Sequence, residues 1–360
     1  MKMLKILFLL LLLFLGWAVF FVWPQLGSAP TEQDLRPYAE KPYFKDGRFV
    51  PPKNMSVHSE KMTGSSGMMA FLLSAFFPEK LNLPRETLHA DSFGTPAPLA
   101  VYWLGHSSFI LEIGGKRLLT DPVLGNAAPI PFMFGRRADA PLKRSDIPQT
   151  DIVLISHNHY DHLERSTVRA LKNTDAVFIV PAGLGRTLRG WGVKPQNIRE
   201  LDWGDSFQTD NLTVTAVPAS HYTGRSGWDK NKTHWNGYVL QSKDKRAYFS
   251  GDTGYEETFF KQIGQEYGPF DVALIEIDAW NEGWPNLHLF PHQAVRVAQE
   301  TRAKEMIPAH WGVFNLAAHP WNESVKTTAR LAQEQNVKFS TPKLGEKFLP
   351  GETVSSRWWE

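Results

Sequence analysis

The chain has 360 residues, 42% hydrophobic and 21% charged, which suits one large globular domain or two small ones around a substantial core. Its formal net charge is +2, and Lys2 and Lys5 lie in a stretch without acids. The remainder therefore balances near zero, which argues against a surface built for nucleic acid. Cysteine is absent, so disulfides and thiolate ligands are excluded and any metal site must use His, Asp or Glu.

Residues 1–29 open with two lysines, then 18 uncharged, mostly apolar residues from Ile6 to Trp23. That run exceeds the roughly 7–15 residues of a secretory leader core and approaches the ~20 of a spanning helix. Trp17, Phe20, Phe21 and Trp23 fit an interfacial belt at its far end. The expectation is an uncleaved single-pass anchor with its lysines cytoplasmic and the rest of the chain on the non-cytoplasmic side, periplasmic in a bacterium. A cleavage site near Gly27-Ser28-Ala29 is disfavoured by Pro30.

Residues 30–95 are rich in Pro and Gly and read as an irregular arm or linker. Within it, Met68–Phe77 is too short to span a bilayer and reads as a buried helix or as an apolar patch beside the anchor. From about residue 96 to 350 the texture is that of a folded domain, followed by a tail, 351–360. Residues 99–124 read as strand, turn, strand, a Gly114-Gly115 hairpin and strand. A Pro-rich loop follows, then a strand at 152–155 and a helix over 164–172. Next come a strand at 177–180, a helix near 183–190, and strands through 199–217 and 236–249. A helix near 256–266, a buried strand at 271–277, a helix opened by Pro291, a short strand before PAHWG and a helix over 321–335 complete the domain. Runs of strands with helices between them predict two packed sheets with helices outside.

The chemistry concentrates in DIVLISHNHYDHL, Asp151–Leu163. Behind the buried run Ile152–Ile155 stand His157, His159, Asp161 and His162, residue types that bind zinc-like ions. Extended backbone puts residues i and i+2 on one side, so His157 and His159 can grip one cation while Asp161 and His162 reach a second. Three further strand ends carry His221, Asp252 and His310. The proposed partition gives one metal His157, His159 and His221, and the other Asp161, His162 and His310. Asp252 bridges them, with a shared hydroxide, as in hydrolases whose two metals stand ~3.5–4 Å apart.

HNHYDH, His221, the GDTG turn with Asp252 and PAHWG with His310 resemble the metallo-β-lactamase superfamily in order and spacing over residues 98–350. The resemblance implies an α/β fold, a metallo-β-lactamase-like αββα four-layer sandwich, and two zinc ions per chain, with other divalent metals admitted. WLGHSSFILEIGGKRLLTDPVL, FGRR, ELDWGDS, FSGDTGY, YGPFDVALIEIDAW and HLFPHQAVR look like the branch containing the phospholipase D that hydrolyses N-acyl-phosphatidylethanolamine. Bacterial sugar-phosphate lactonases share part of this pattern. Within that branch a further active-site His is implied, and His288 occupies its position, whereas Phe290 replaces an Asp before the following helix.

The resulting expectation is a zinc-dependent phosphodiesterase acting on membrane glycerophospholipids, with Asp161, Asp252 and His288 as catalytic residues. His288, Arg136 and Trp284 are the expected substrate contacts, and the expected partners are a phospholipid membrane and a lipid substrate, not nucleic acid. A hydrolase of a small soluble ester, lactone or sugar phosphate is the alternative. Oligomeric state is left open, a homodimer included. His106 reads as a core histidine bonded to backbone, with approach to the site after its strand as the alternative, and His234, His292 and His319 as loop or surface residues. Asp121 reads as a turn former or a partner orienting a ligand histidine. Arg137 accompanies Arg136 as a phosphate-steering or solvated residue, Tyr160 and Trp311 as site wall, and Trp228, Trp235 and Trp280 join Trp284 as an acyl groove or ordinary packing.

Overall fold

The computed structural model describes residues 2–53, 55–57, 73, 75–130, 132–317 and 320–360. The Met68–Phe77 reading lies mostly outside them, as does that for His319.

Two sheets make the domain. The first runs β15-β3-β4-β5-β6-β7-β8, from β3 (Leu99–Gly105), β4 (Ser108–Ile113), β5 (Lys116–Thr120), β6 (Ile152–Leu154), β7 (Val177–Pro181), β8 (Ile198–Leu201) and β15 (Lys347–Phe348). The second runs β14-β13-β12-β11-β10-β9, from β9 (Ser206–Gln208), β10 (Thr213–Val217), β11 (Gly237–Gln241), β12 (Arg246–Phe249), β13 (Val272–Glu276) and β14 (Met306–Ala309). A small hairpin in the arm pairs β1 (Phe44–Lys45) with β2 (Arg48–Phe49).

Alternation along the first sheet explains its near-continuous apolar strands. Val101 and Trp103 enter the core shared with Val214, Ala216, Leu240 and Phe249 of the second sheet. Ala100, Tyr102 and Leu104 face the other way, into a cluster closed by Leu171 and Leu188 of the helices over 165–171 and 185–190. A strand buried on both faces has no polar side to show. Helices Glu257–Glu266, Pro291–Glu300 and Glu323–Glu334 lay their apolar stripes, among them Phe260, Val297 and Val325, on the second sheet's core. The αββα sandwich is therefore present, with β5 to β8 parallel to one another and β12 to β14 likewise.

The N-terminal apolar helix spans Lys2–Leu26, has mean hydropathy 2.8 and is long and apolar enough to cross a membrane. The arm after it is better packed than its composition suggests. Leu35 and Phe49 join Ala182, Ala219 and Trp235 in a satellite core, with His234 wedged against Phe49, Tyr43 and Trp203 at ring distances of 4.3–5.3 Å. His234 does lie in a loop, but it is not at the surface, because aromatic side chains brought by the arm bury it. The last residues are also integrated, since Trp358 stacks on Trp311 at 5.5 Å and Trp359 is buried.

Candidate metal centre

All the candidate ligands leave the C-terminal ends of strands on neighbouring edges of the two sheets. His157, His159, Asp161 and His162 follow β6; His221 follows β10, Asp252 follows β12 and His310 follows β14. Parallel neighbours deliver these ends to one place, which is why residues far apart in sequence meet. The turn carrying Asp252 is tight. Gly251 has φ +56°, and a Cβ there would stand 2.7 Å from Ser156 and 2.9 Å from the Asn236 carbonyl. His106, Asp121 and His310, all buried, also adopt positive φ of 57°, 36° and 63°, strain of the kind that surrounding structure sustains at functional sites.

Two groups result. In the first, His159 Nδ1 lies 2.8 Å from His157 Nε2 and 3.3 Å from His221 Nε2. In the second, Asp161 Oδ2 lies 3.2 Å from His162 Nε2 and 3.3 Å from His310 Nε2. Asp252 stands between them. Its Oδ2 is 3.1 Å from His162 Nε2 and from His310 Nε2, and 3.7 Å from His157 Nε2 and from His221 Nε2. Within each group the donor atoms lie within 4.8 Å of one another. His162 Nε2, His310 Nε2 and Asp252 Oδ1 are buried without a hydrogen-bond partner. Converging, unsatisfied nitrogen and carboxylate donors are what a cation needs and what a packed core avoids, so the residues fit a metal pair.

The outer nitrogens are tied down. Asp121 Oδ2 accepts from His162 Nδ1 at 2.7 Å and from Ser156 Oγ at 2.6 Å, and that hydroxyl accepts from His157 Nδ1 at 2.9 Å. His221 Nδ1 donates to the Leu287 carbonyl at 3.0 Å. Each of these bonds places the proton on Nδ1 and leaves Nε2 for the centre. Asp121 thus orients two histidines, one directly and one through Ser156. His106 differs from its core reading: its Nε2 lies 3.0 Å from Asp161 Oδ2.

A cleft of about 370 Å³ opens onto the centre, with His159, Asp161, Asp252 and His288 among its polar lining and Phe134, Trp284, Leu287 and Leu316 among its apolar lining. His288 Nδ1 is 2.7 Å from Glu276 Oε2. Burial and the charge on Asp252 push the Glu276 carboxyl well above its usual range, while burial lowers His288 to about 4. The bond between them fixes the orientation of the His288 ring at the cleft. Glu276 was missed in the sequence, although a lone acid closing the apolar strand VALIE was a signal.

Arg136, expected to meet substrate, has its donors turned to the chain's own carbonyls. Burial encloses it, and its guanidinium donates to the carbonyls of Val123 at 2.7 Å, Leu104 at 2.7 Å and Ala138 at 3.0 Å. Arg137 is buried as well. Of the tryptophans, Trp284 alone lines the cleft; Trp235 is core, Trp228 packs on Trp23 at 6.2 Å, and Trp280 donates to Ser324 Oγ at 3.0 Å. Tyr160 lines the cleft, whereas Trp311 lies behind it, stacked on Trp103 at 4.9 Å. His292 is exposed.

Fold and site together define a metal-dependent hydrolase. The model of the beta-lactamase superfamily domain matches residues 116–311, more than half of the chain, which therefore belongs to that superfamily. An uncharacterized protein of Mycobacterium tuberculosis is 42% identical over 273 residues, 74% of this chain and 73% of its own length. The N-acyl-phosphatidylethanolamine-hydrolyzing phospholipase D 1 of Caenorhabditis elegans is 34% identical over 245 residues, 64% of this chain and 69% of its own. Among solved structures, the metallo hydrolase Igni18 of Ignicoccus hospitalis superposes with TM-score 0.55 at 21% identity, covering 69% of this chain and 97% of that one; this likeness speaks for the fold alone.

Proposed function

We propose that the chain is a membrane-tethered, zinc-dependent phosphodiesterase that hydrolyses glycerophospholipids of the N-acyl-phosphatidylethanolamine type by phospholipase D cleavage. The observation that carries this is the cleft itself, apolar on its walls and opening on paired His/Asp clusters. The 34% identical nematode phospholipase D supports the same substrate class.

His157, His159 and His221 would hold one ion, Asp161, His162 and His310 the other, with Asp252 between them. Such a pair, when bound, lowers the pKa of water, polarises phosphoryl oxygens and offsets developing negative charge. The side chains then have separable tasks. Asp161 and Asp252 orient the attacking water beside the phosphorus. His288, held by Glu276, donates Nε2–H to a phosphate oxygen. Trp284, Leu287, Phe134 and Leu316 exclude water around the lipid and bind apolar chain.

The helix Lys2–Leu26 would hold the domain at the bilayer where such a substrate lies, raising its effective concentration. Exposed Phe76, Phe77, Phe132 and Trp228 extend an apolar surface beyond it, with Phe132 stacked on Trp17 at 6.3 Å and on Phe76 at 6.3 Å. On this reading the catalytic domain faces the non-cytoplasmic side.

The test is product identification by mass spectrometry, with the zinc-loaded full chain in mixed micelles containing N-acyl-phosphatidylethanolamine. Phosphatidic acid plus N-acylethanolamine, absent with His159→Ala, is the expected result. Free fatty acid would make the protein a carboxylester hydrolase instead. No lipid turnover by a zinc-loaded chain would sink the lipid reading in favour of a soluble ester or lactone.

A further inference from the structure

The end of the N-terminal helix and the loop bearing four of the candidate ligands meet at one buried side chain. Arg225 lies between them, 6% exposed. Its Nε and Nη2 donate to the Gln25 carbonyl at 3.0 and 2.7 Å. Its Nη1 donates to the carbonyls of Asn158 at 2.7 Å, Leu163 at 2.9 Å and His159 at 3.4 Å. The last carbonyls of a helix carry partial negative charge and lack intrahelical partners, so a cation there is well placed. The His159 carbonyl is itself structural, accepting the amides of His162 at 3.2 Å and Leu163 at 2.9 Å. One guanidinium therefore sits on the turn that shapes the ligand loop and on the terminus of the apolar helix.

Neighbouring contacts make the join stiff. Tyr160 stacks on the guanidinium, 3.9 Å from its ring centre, and donates its hydroxyl to the Arg225 carbonyl at 2.7 Å. The Asn158 side chain accepts from the Gly224 amide at 2.9 Å. On the helix side, Trp191 Nε1 donates to the Pro24 carbonyl at 2.9 Å. Thr187 Oγ1 accepts from the Ser28 amide at 3.1 Å and donates to its carbonyl at 2.9 Å. The segment that a leader peptidase would sever, Gly27–Ala29, is thus part of the domain's own wiring. Severing there would strip Arg225 of the Gln25 carbonyl and leave a buried charge under-satisfied.

We propose that Arg225 is a positioning residue that fastens the end of the membrane helix to the metal-holding loop, which makes that helix a retained, working part of the active domain. The inference rests on the reading of residues 157–163 as metal-holding and is independent of the lipid substrate.

Hydrogen exchange on the full chain in detergent, with zinc, tests it. Arg225→Gln should speed exchange at least tenfold at the His162 and Leu163 amides and also at residues 25–28. The β13 amides should keep their wild-type rates, and zinc occupancy should fall. Arg225→Lys should give an intermediate change. Thr187→Val removes the Ser28 bonds and no contact of Arg225; it should loosen residues 25–28 and speed exchange at His162 and Leu163 by a smaller factor. This second variant decides the matter if Arg225→Gln does not fold. Loop amides at wild-type rates in variants whose helix end has loosened would overturn the proposal, as would a rise spread evenly over the domain. A wild-type chain that takes up no zinc would overturn the metal reading instead, and the exchange comparison would still decide the coupling.

Discussion

On one side of Asp252, His157, His159 and His221 offer three imidazoles and no carboxylate of their own; on the other, His162 and His310 share Asp161, with His106 behind it. The electrostatics follow this difference. Burial and neighbouring imidazoles depress the first group, His159 and His221 to about 3, and His157 lies well below its usual range. Burial also opposes charge on His162 and His310, but Asp252 and the other nearby carboxylates outweigh it. His310 rises to about 10 and His162 goes well above its ordinary value. The surroundings thus favour neutral imidazoles in the first group and charged ones in the second. Ions filling the two groups would not bind alike.

Removing the shared member should have the largest effect. Asp252→Ala takes a ligand from both groups, and loss of metal chemistry worth several kcal/mol corresponds to a fall in kcat on the order of 10³-fold or more. A steady-state assay with excess zinc checks this; activity within tenfold of wild type would break the bridging assignment.

Asp121→Ala should come next. It touches no ion but frees His162 and, through Ser156, His157, so zinc affinity should drop roughly 10- to 100-fold, the usual cost of losing such a partner. Competition with a chelator measures it. Both ions should weaken, the one at His162, which Asp121 holds directly, more than the one at His157, reached through Ser156.

The smallest effect separates the groups by pH. Metal needs neutral imidazole, so an ion entering the His162/His310 group must displace protons that the nearby carboxylates favour on both rings, and its affinity should rise with pH through neutrality. The His159/His221 group, whose two rings burial lowers to about 3, should bind with little pH dependence between pH 6 and 8. Calorimetric titrations in buffers of different ionisation enthalpy count the protons released at each step. Equal release at both steps would contradict the comparison.

Much of this was legible in the sequence because it is local. Ile152–Ile155 followed by His157, His159, Asp161 and His162 puts a buried strand and four ligands within one short segment, and the separate strand ends supplied His221, Asp252 and His310. What escaped depends on convergence. Arg136 sits in a basic FGRR run that reads as phosphate steering, yet carbonyls from Leu104, Val123 and Ala138 consume its donors. His234 looked solvated because nothing nearby in sequence announces the aromatic residues of the arm that enclose it. For His106 a backbone partner was favoured over approach to the site because its meeting with Asp161 spans 55 positions. Arg225 carried no motif at all, since every hydrogen bond its guanidinium donates goes to a backbone carbonyl from a distant segment.

The most direct test of the two-group account is a metal count on intact protein. Native mass spectrometry of the zinc-loaded wild type should show two ions per chain. His159→Ala and His310→Ala should each retain one, from opposite groups, and Asp252→Ala should lose the second ion and weaken the first. A wild type that holds a single zinc while hydrolysing its substrate at full rate would contradict the account.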